Sequence, residues 1–306
     1  MILSCGEALI DMLPRETAAA EPAFAPYAGG AVFNTAIALG RLGAPSAFFT
    51  GLSTDLFGEV LEQTLAASRV DCSLCARSDR PTTLAFVKLV NGQASYAFYD
   101  ENTAGRLLSP EDLPALPDGI EAAFFGGIYL GQEPAGTAYE TLMAREAPRI
   151  VTMLDPNIRP GFIPDEKAYR ARVARMVALA DIVKFSDEDL HWLYGSGDLT
   201  QLARELLSKG PKVVFITEGA KGARAVTMKG ERFIASQKVT VADTVGAGDT
   251  FNAGVLAALH RDGMLHKSAV ADLTDAELDA ALTLGVRAAA ITVSRAGANP
   301  PWAHEL

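Results

Sequence analysis

Apolar, β-rich runs that alternate with segments of helical period leave this chain few folds to adopt. The runs cover 2–10, 47–51, 123–130, 150–155, 181–185 and 213–217. The helical segments cover 32–42, 57–68, 136–146, 166–180, 199–208, 247–261 and 276–293. Strands separated by helices in this way belong to βαβ units, whose parallel sheet is covered on both faces. The expected fold class is α/β, with a mostly parallel central sheet. Two segments break the rhythm. Residues 12–28 are rich in Pro and Ala and carry no helical stripe, and 82–99 read as two β-rich runs around Asn91-Gly92, a hairpin signal. A parallel sheet has little use for a hairpin in its core. The pieces at about 12–28 and 80–103 are expected to form a small β-sheet lid that keeps water from a site. An edge hairpin without function is the alternative. No repeat, low-complexity tract or linker divides the chain, so one domain is expected over 1–306.

With 49% hydrophobic and 21% charged residues, the 306-residue chain can bury one large core. The net charge of −10 and the lack of any Lys or Arg stripe argue against a nucleic-acid partner. An acidic chain that binds phosphate must therefore concentrate positive potential locally. No apolar run approaches the ~18 residues that span a bilayer. The N-terminal run meets Glu7 and Asp11 early and lacks a basic start, so it reads as a first strand and not as a signal peptide. Three cysteines do not make a disulfide framework. Cys72 and Cys75 have Cys-x-x-Cys spacing but no second pair or nearby His, and read as ordinary thiols. The cytoplasm is the expected location.

The segment Asp243-Thr244-Val245-Gly246-Ala247-Gly248-Asp249 opens a helix with three small residues. First-turn N–H groups lack helical partners and carry the positive end of the dipole, so small residues there expose an anion cradle. Asp249 at that turn is either a cap or a general base, and cradle plus base suits phosphoryl transfer to a hydroxyl. Gly29-Gly30 enters a second helix with Asn34 early in it; the glycines permit close backbone approach and Asn34 suits sugar hydroxyls, or acts as a cap. Asp11 follows the first run, where ligands of open α/β sheets sit, or is a loop acid. Asp155, Asn157 and Arg159 follow another run; they suit a phosphate and metal shell, or a capped turn with an ion pair. Thr217, Gly219, Lys221 and Gly222 line a nucleotide phosphate path, or a Gly-rich hairpin into 223–228.

The pair Gly29-Gly30…Asn34 and Asp243-Thr-Val-Gly-Ala-Gly-Asp249 resembles the two signatures of the ribokinase/PfkB sugar-kinase family, in order and separation, over essentially the whole chain. Val32 stands where the family often has a small residue or Pro. Residues 29–43 with 99–104 look most like bacterial fructokinases. The resemblance implies a three-layer α/β/α ribokinase-like domain with a β lid, transferring the γ-phosphate of ATP to a primary hydroxyl. It implies Asp249 as the base, with the N–H groups of Gly246, Ala247 and Gly248 as the anion hole. Asp11, Gly29, Gly30, Asn34, Asn102 and Arg159 would hold the sugar. Lys184, Ser186, Thr217, Gly219, Lys221, Gly222 and Asn299 would line the nucleotide. Asp243, the Val245 carbonyl and the loop at Gly297 would bind a monovalent cation such as K+. Asp189 stands at the Glu of the family's Asn-x-x-Glu, here Ser186-Asp187-Glu188-Asp189, and would serve the Mg2+ shell. The expected activity is fructokinase, yielding fructose 6-phosphate. A 2-keto-3-deoxygluconate kinase, a ribokinase or a non-catalytic sensor on the same fold are the alternatives, and the family's precedent for dimers is a homodimer through the lid.

Overall fold

The computed structural model describes residues 1–90 and 93–306, with backbone alone for 88–90 and 93–96. Nine strands form the central sheet, in the order Glu231–Ala235, Gly222–Val226, Val213–Thr217, Ile182–Ser186, Val151–Asp155, Ala122–Gly126, Ile2–Cys5, Ser46–Phe49 and Val70–Asp71. Every neighbouring pair is parallel except those made by Gly222–Val226, which is antiparallel to both its neighbours. The inner parallel strands are largely apolar at consecutive positions because both faces are covered, whereas the edge strand Glu231–Ala235 alternates. Side chains alternate across a strand, so Ile2, Phe48, Phe124 and Val213 enter one core while Leu3, Phe49, Phe125 and Val214 enter the other. Helices Ala31–Arg41, Ala247–Arg261 and Asp275–Val293 cover the first face; Ala135–Glu146, Glu166–Leu179 and Leu199–Leu207 cover the second. The result is the expected three-layer α/β/α arrangement.

Helices Ala247–Arg261 and Asp275–Val293 touch backbone to backbone at a pair of glycines. A Cβ on Gly254 would come 2.6 Å from the Gly285 Cα. Gly254→Val is therefore expected to overpack this crossing and cost about 1–3 kcal/mol. A lower denaturation midpoint at unchanged slope is the expected reading; an unchanged midpoint would show that the crossing yields.

The structure divides three of the expected strands. The run 2–10 ends at Cys5, and after Gly6-Glu7-Ala8 the chain re-enters as Leu9–Glu16 in a different sheet. Gly6 is the break: a Cβ there would overlap Val32 and come 3.0 Å from the Gly126 carbonyl. The run 47–51 divides likewise, with Gly51–Ser53 leaving the central sheet to pair with Ala76–Ser78. The run 123–130 stops at Gly126, and Ile128–Gly131 is a 3₁₀ turn. Hydrophobic periodicity is blind to a kink inside an apolar run. It also passes over the short helix Asp187–Tyr194.

A separate four-stranded sheet has the order Pro22–Gly29, Leu9–Glu16, Leu84–Val90, Gln93–Tyr99. Its outer pairs are antiparallel and its central pair is parallel. The first two strands begin at Leu9, earlier than the expected 12–28, so Asp11 lies within a strand and not in a loop past one. The Asn91-Gly92 turn lies outside the described residues. No helix among the described residues is long and apolar enough to cross a membrane.

Candidate active site

The strand order of the central sheet reverses between Ile2–Cys5 and Ala122–Gly126, and open α/β sheets bind ligands at the carboxyl ends of such strands. A cavity of about 540 Å³ opens there. Its wall includes Asp11, Gly30, Asn34, Arg159 and the whole of 244–249.

Helix Ala247–Arg261 brings its first turn to this cavity. Gly246 precedes it in the left-handed region at φ 79°, where a Cβ would also stand 2.8 Å from the Ala298 Cβ. Only glycine enters this turn without strain. The Ala247 amide makes a long turn contact of 3.4 Å to the Thr244 carbonyl. Asp249, in the same turn, is 7% exposed. Asn34 Nδ2 donates to Asp249 Oδ2 at 2.9 Å, and Thr35 Oγ1 donates to the Asp249 carbonyl at 3.2 Å. Burial pushes the Asp249 carboxyl up to about 6, assisted by the charge of Asp155 and opposed by the Asn34 hydrogen bond, Lys184 and Arg159. A carboxylate with that affinity is ionised at neutral pH yet still takes a proton readily, as a general base must.

Asp11 reaches the cavity from the four-stranded sheet, and burial lifts its carboxyl to about 6. Gly29, paired with Leu9 on the neighbouring strand, leaves room for it: a Cβ at 29 would overlap Asp11 Oδ2. Gly29 itself is outside the cavity wall, and so is the exposed Asn102, held at φ 60°.

Below the helix N-terminus lies a buried ion pair. Lys184 Nζ meets Asp155 Oδ2 at 2.9 Å, and Asn252 Nδ2 donates to the same oxygen at 2.7 Å. The ammonium is 3.1 Å from the position a Gly248 Cβ would take, so any larger residue at 248 would press on the ion pair. Asp189 is nearly buried; burial raises its carboxyl, with Asp155 adding to the shift and Lys184 opposing it.

Residues 1–305 match the family profile described as pfkB family carbohydrate kinase. The chain belongs to that family. It is 59% identical to a fructokinase of Rhizobium leguminosarum bv. trifolii over 278 residues, 91% of this chain and 85% of the relative. The fructokinase of Xylella fastidiosa with bound ATP matches its fold with a TM-score of 0.89 at 28% identity, covering 97% of this chain and 93% of that one. A fructokinase double mutant from Vibrio cholerae O395, bound to fructose, ADP and potassium ion, matches with a TM-score of 0.84 at 28% identity, again over 97% and 93%.

In this pfkB kinase the residues expected on the nucleotide side stand apart from the cavity wall. Ser186 and Thr217 are register neighbours at the carboxyl ends of adjacent strands. Gly219, Lys221 and Gly222 form the turn that follows Thr217, closed by the Glu218 amide donating to the Gly222 carbonyl at 2.8 Å. Asn299 is exposed and accepts from Arg41 Nη1 at 2.8 Å. Asp243 accepts from the amides of Val245 and Gly297, both at 3.0 Å, and so ties together the two loops expected to share a cation. Sequence reasoning missed two side chains. Asn252 is an ordinary helix position by sequence. Glu7 is a buried acid in an apolar run, and its place after Gly6 is the one local signal of a break.

Proposed function

We propose that the chain is an ATP-dependent fructokinase that phosphorylates D-fructose to fructose 6-phosphate. One observation carries the reading: a buried carboxylate, Asp249, sits in the first turn of a glycine-entered helix at a cavity, bonded to Asn34. In the reaction Asp249 takes the proton of the sugar's primary hydroxyl as its oxygen bonds to the γ-phosphorus, and ADP leaves with the electrons of the broken bond. The first-turn amides at Gly246, Ala247 and Gly248 face the developing charge. Asp11, Gly29, Gly30, Asn34, Asn102 and Arg159 hold the sugar, and the four-stranded sheet acts as the lid. Lys184, Ser186, Thr217, Gly219, Lys221, Gly222 and Asn299 form the nucleotide side.

Asp189 supplies a hard oxygen donor beside Asp155, which fits Mg2+ held through water; the ion shields the phosphate charges when bound. Asp243 and the loops at Val245 and Gly297 suit a K+ ion, and the Vibrio relative bound to potassium ion supports that reading. The choice of fructose is supported by the 59% identical Rhizobium fructokinase. The test is ADP release with MgATP, in K+ and in Na+, across fructose, ribose, 2-keto-3-deoxygluconate and fructose 6-phosphate. Fructose is expected to give the highest kcat/KM, with K+ raising it. A better acceptor among the other three would overturn the substrate, and no sugar-dependent turnover would overturn the enzyme.

A further inference from the structure

Glu7 has no part in the roles described above, yet three elements close around it. It lies in the link Gly6-Glu7-Ala8, between Ile2–Cys5 of the central sheet and Leu9–Glu16 of the four-stranded sheet. The residue is 1% exposed and borders the cavity. Helix Ala31–Arg41 begins at Gly30, which has no side chain to cap it. A capping Ser or Asp cannot stand there, because φ is 112° and a Cβ would come 2.9 Å from the Glu7 carbonyl oxygen. The first-turn amide of Ala31 instead donates to Glu7 Oε1 at 2.7 Å. A carboxylate from outside the helix thus meets an orphan donor at the positive end of its dipole. The other oxygen, Oε2, is buried against Gly127, where a Cβ would overlap it. One turn along, Asn34 and Thr35 of the same helix hold the Asp249 carboxylate and carbonyl.

We propose that Glu7 is a positioning residue for phosphoryl transfer: by holding the Ala31 amide it sets the axial position of helix Ala31–Arg41, and with it the contact of Asn34 with Asp249. The proposal rests on the reading of Asp249 as the base. An apolar residue at position 7 would take this partner from the half-buried Ala31 amide, and the helix would shift to satisfy it.

The consequence is visible in proton affinity. The charged groups that act on Asp249 are Asp155, Lys184 and Arg159, and Glu7 faces it across the cavity. Tyr129 and Tyr139 also face Glu7. Losing the Asn34 hydrogen bond raises the affinity of Asp249 for its proton; losing a Glu7 charge lowers it. The two effects therefore have opposite signs: burial raises both carboxyls, and a charge lost at Glu7 can only move the acid limb down. Glutamine at 7 removes the charge and keeps an oxygen for the Ala31 amide.

The experiment is the pH profile of kcat/KM for fructose at saturating MgATP in wild type, Glu7→Gln, Glu7→Met and Glu7→Asp, with Asn34→Ala as the reference for a lost contact. Glu7→Gln is expected to keep the wild-type acid limb or move it down. Glu7→Met is expected to move it up by about half a unit to one unit, as one lost hydrogen bond to the carboxylate implies, and Asn34→Ala to move it equally. Glu7→Asp, which retains charge and polarity but falls one carbon short, is expected to lie between and covers the case in which Glu7→Met does not fold. A wild-type acid limb in Glu7→Met, whatever its melting temperature, overturns the proposal, as does a Glu7→Gln limb shifted as far as that of Glu7→Met. Carboxyl-carbon NMR of Asp249 in the same proteins reads the same shift without turnover, so failure of the kinase reading and failure of this one remain separate.

Discussion

Asp249→Asn should lower the fructose-dependent kcat by roughly 10²–10⁴-fold, the range for loss of a general base. The asparagine can still accept the Asn34 amide hydrogen bond, so the KM for fructose is expected to stay within about threefold if binding is a matter of the surrounding polar groups. A kcat near wild type would remove Asp249 from the chemistry. In wild type the acid limb should fall near pH 6, because burial pushes the carboxyl up to about 6 and the base works only when ionised. Activity is thus present above that value and lost as the pH falls through it.

The same variant carries an opposite prediction for stability. The ordinary aspartyl pKa is about 3.9. The folded chain holds the Asp249 proton more tightly than the unfolded chain, so folding is favoured at low pH and this contribution is lost as the pH rises through about 6. At pH 8 the folded state bears the full cost of a buried, ionised carboxylate, whereas asparagine bears none. Asp249→Asn is expected to be more stable than wild type at pH 8 by about 1–3 kcal/mol, with the difference vanishing near pH 4. Equilibrium denaturation at the two pH values checks this. A variant less stable than wild type at pH 8 would mean that the carboxylate is well solvated after all. The expected gain is that of a site kept strained for function.

Lys184→Met should be the most destabilising single change in the site. Lys184 and Asp155 are 4% and 2% exposed, and removing one partner of a buried pair leaves the other charge without compensation, at a cost of about 3–5 kcal/mol. Asn252 and the Asn157 amide still donate to Asp155, which places the effect nearer the lower end. Adding Asp155→Asn, which removes the stranded charge, is expected to restore part of the loss. Urea denaturation of wild type, single and double variants decides it. A loss below about 1 kcal/mol for the single variant would show that water or a shifted Arg159 replaces the ammonium.

Local signals carried much of the structure. Helix Ala247–Arg261 appears at the residues its apolar stripe and small-residue entry require. The expectation of a separate β element also corresponds to a described four-stranded sheet, although its first strands start at Leu9. The break after Phe49 was not legible, and Gly6 alone marked the first. Both fall inside apolar runs whose composition is the same before and after the change of sheet. The glycines that permit them are needed because distant groups approach: the Val32 side chain and then the Gly126 carbonyl at Gly6, and the Ala104 carbonyl at Gly51.

The sequence by itself determined the three-layer architecture, the glycine entries to two helices and the candidate base, because periodicity, backbone freedom and orphan amides are properties of a few neighbouring residues. Tertiary structure alone decided which groups share the cavity. Asn34 and Asp249 are 215 residues apart in the chain and 2.9 Å apart in space. Glu7 reads as one acid in an apolar run until the link between two sheets turns it onto the Ala31 amide. The proton affinities follow from burial, and burial is a property of all the elements packed around a side chain, which no local stretch of sequence contains.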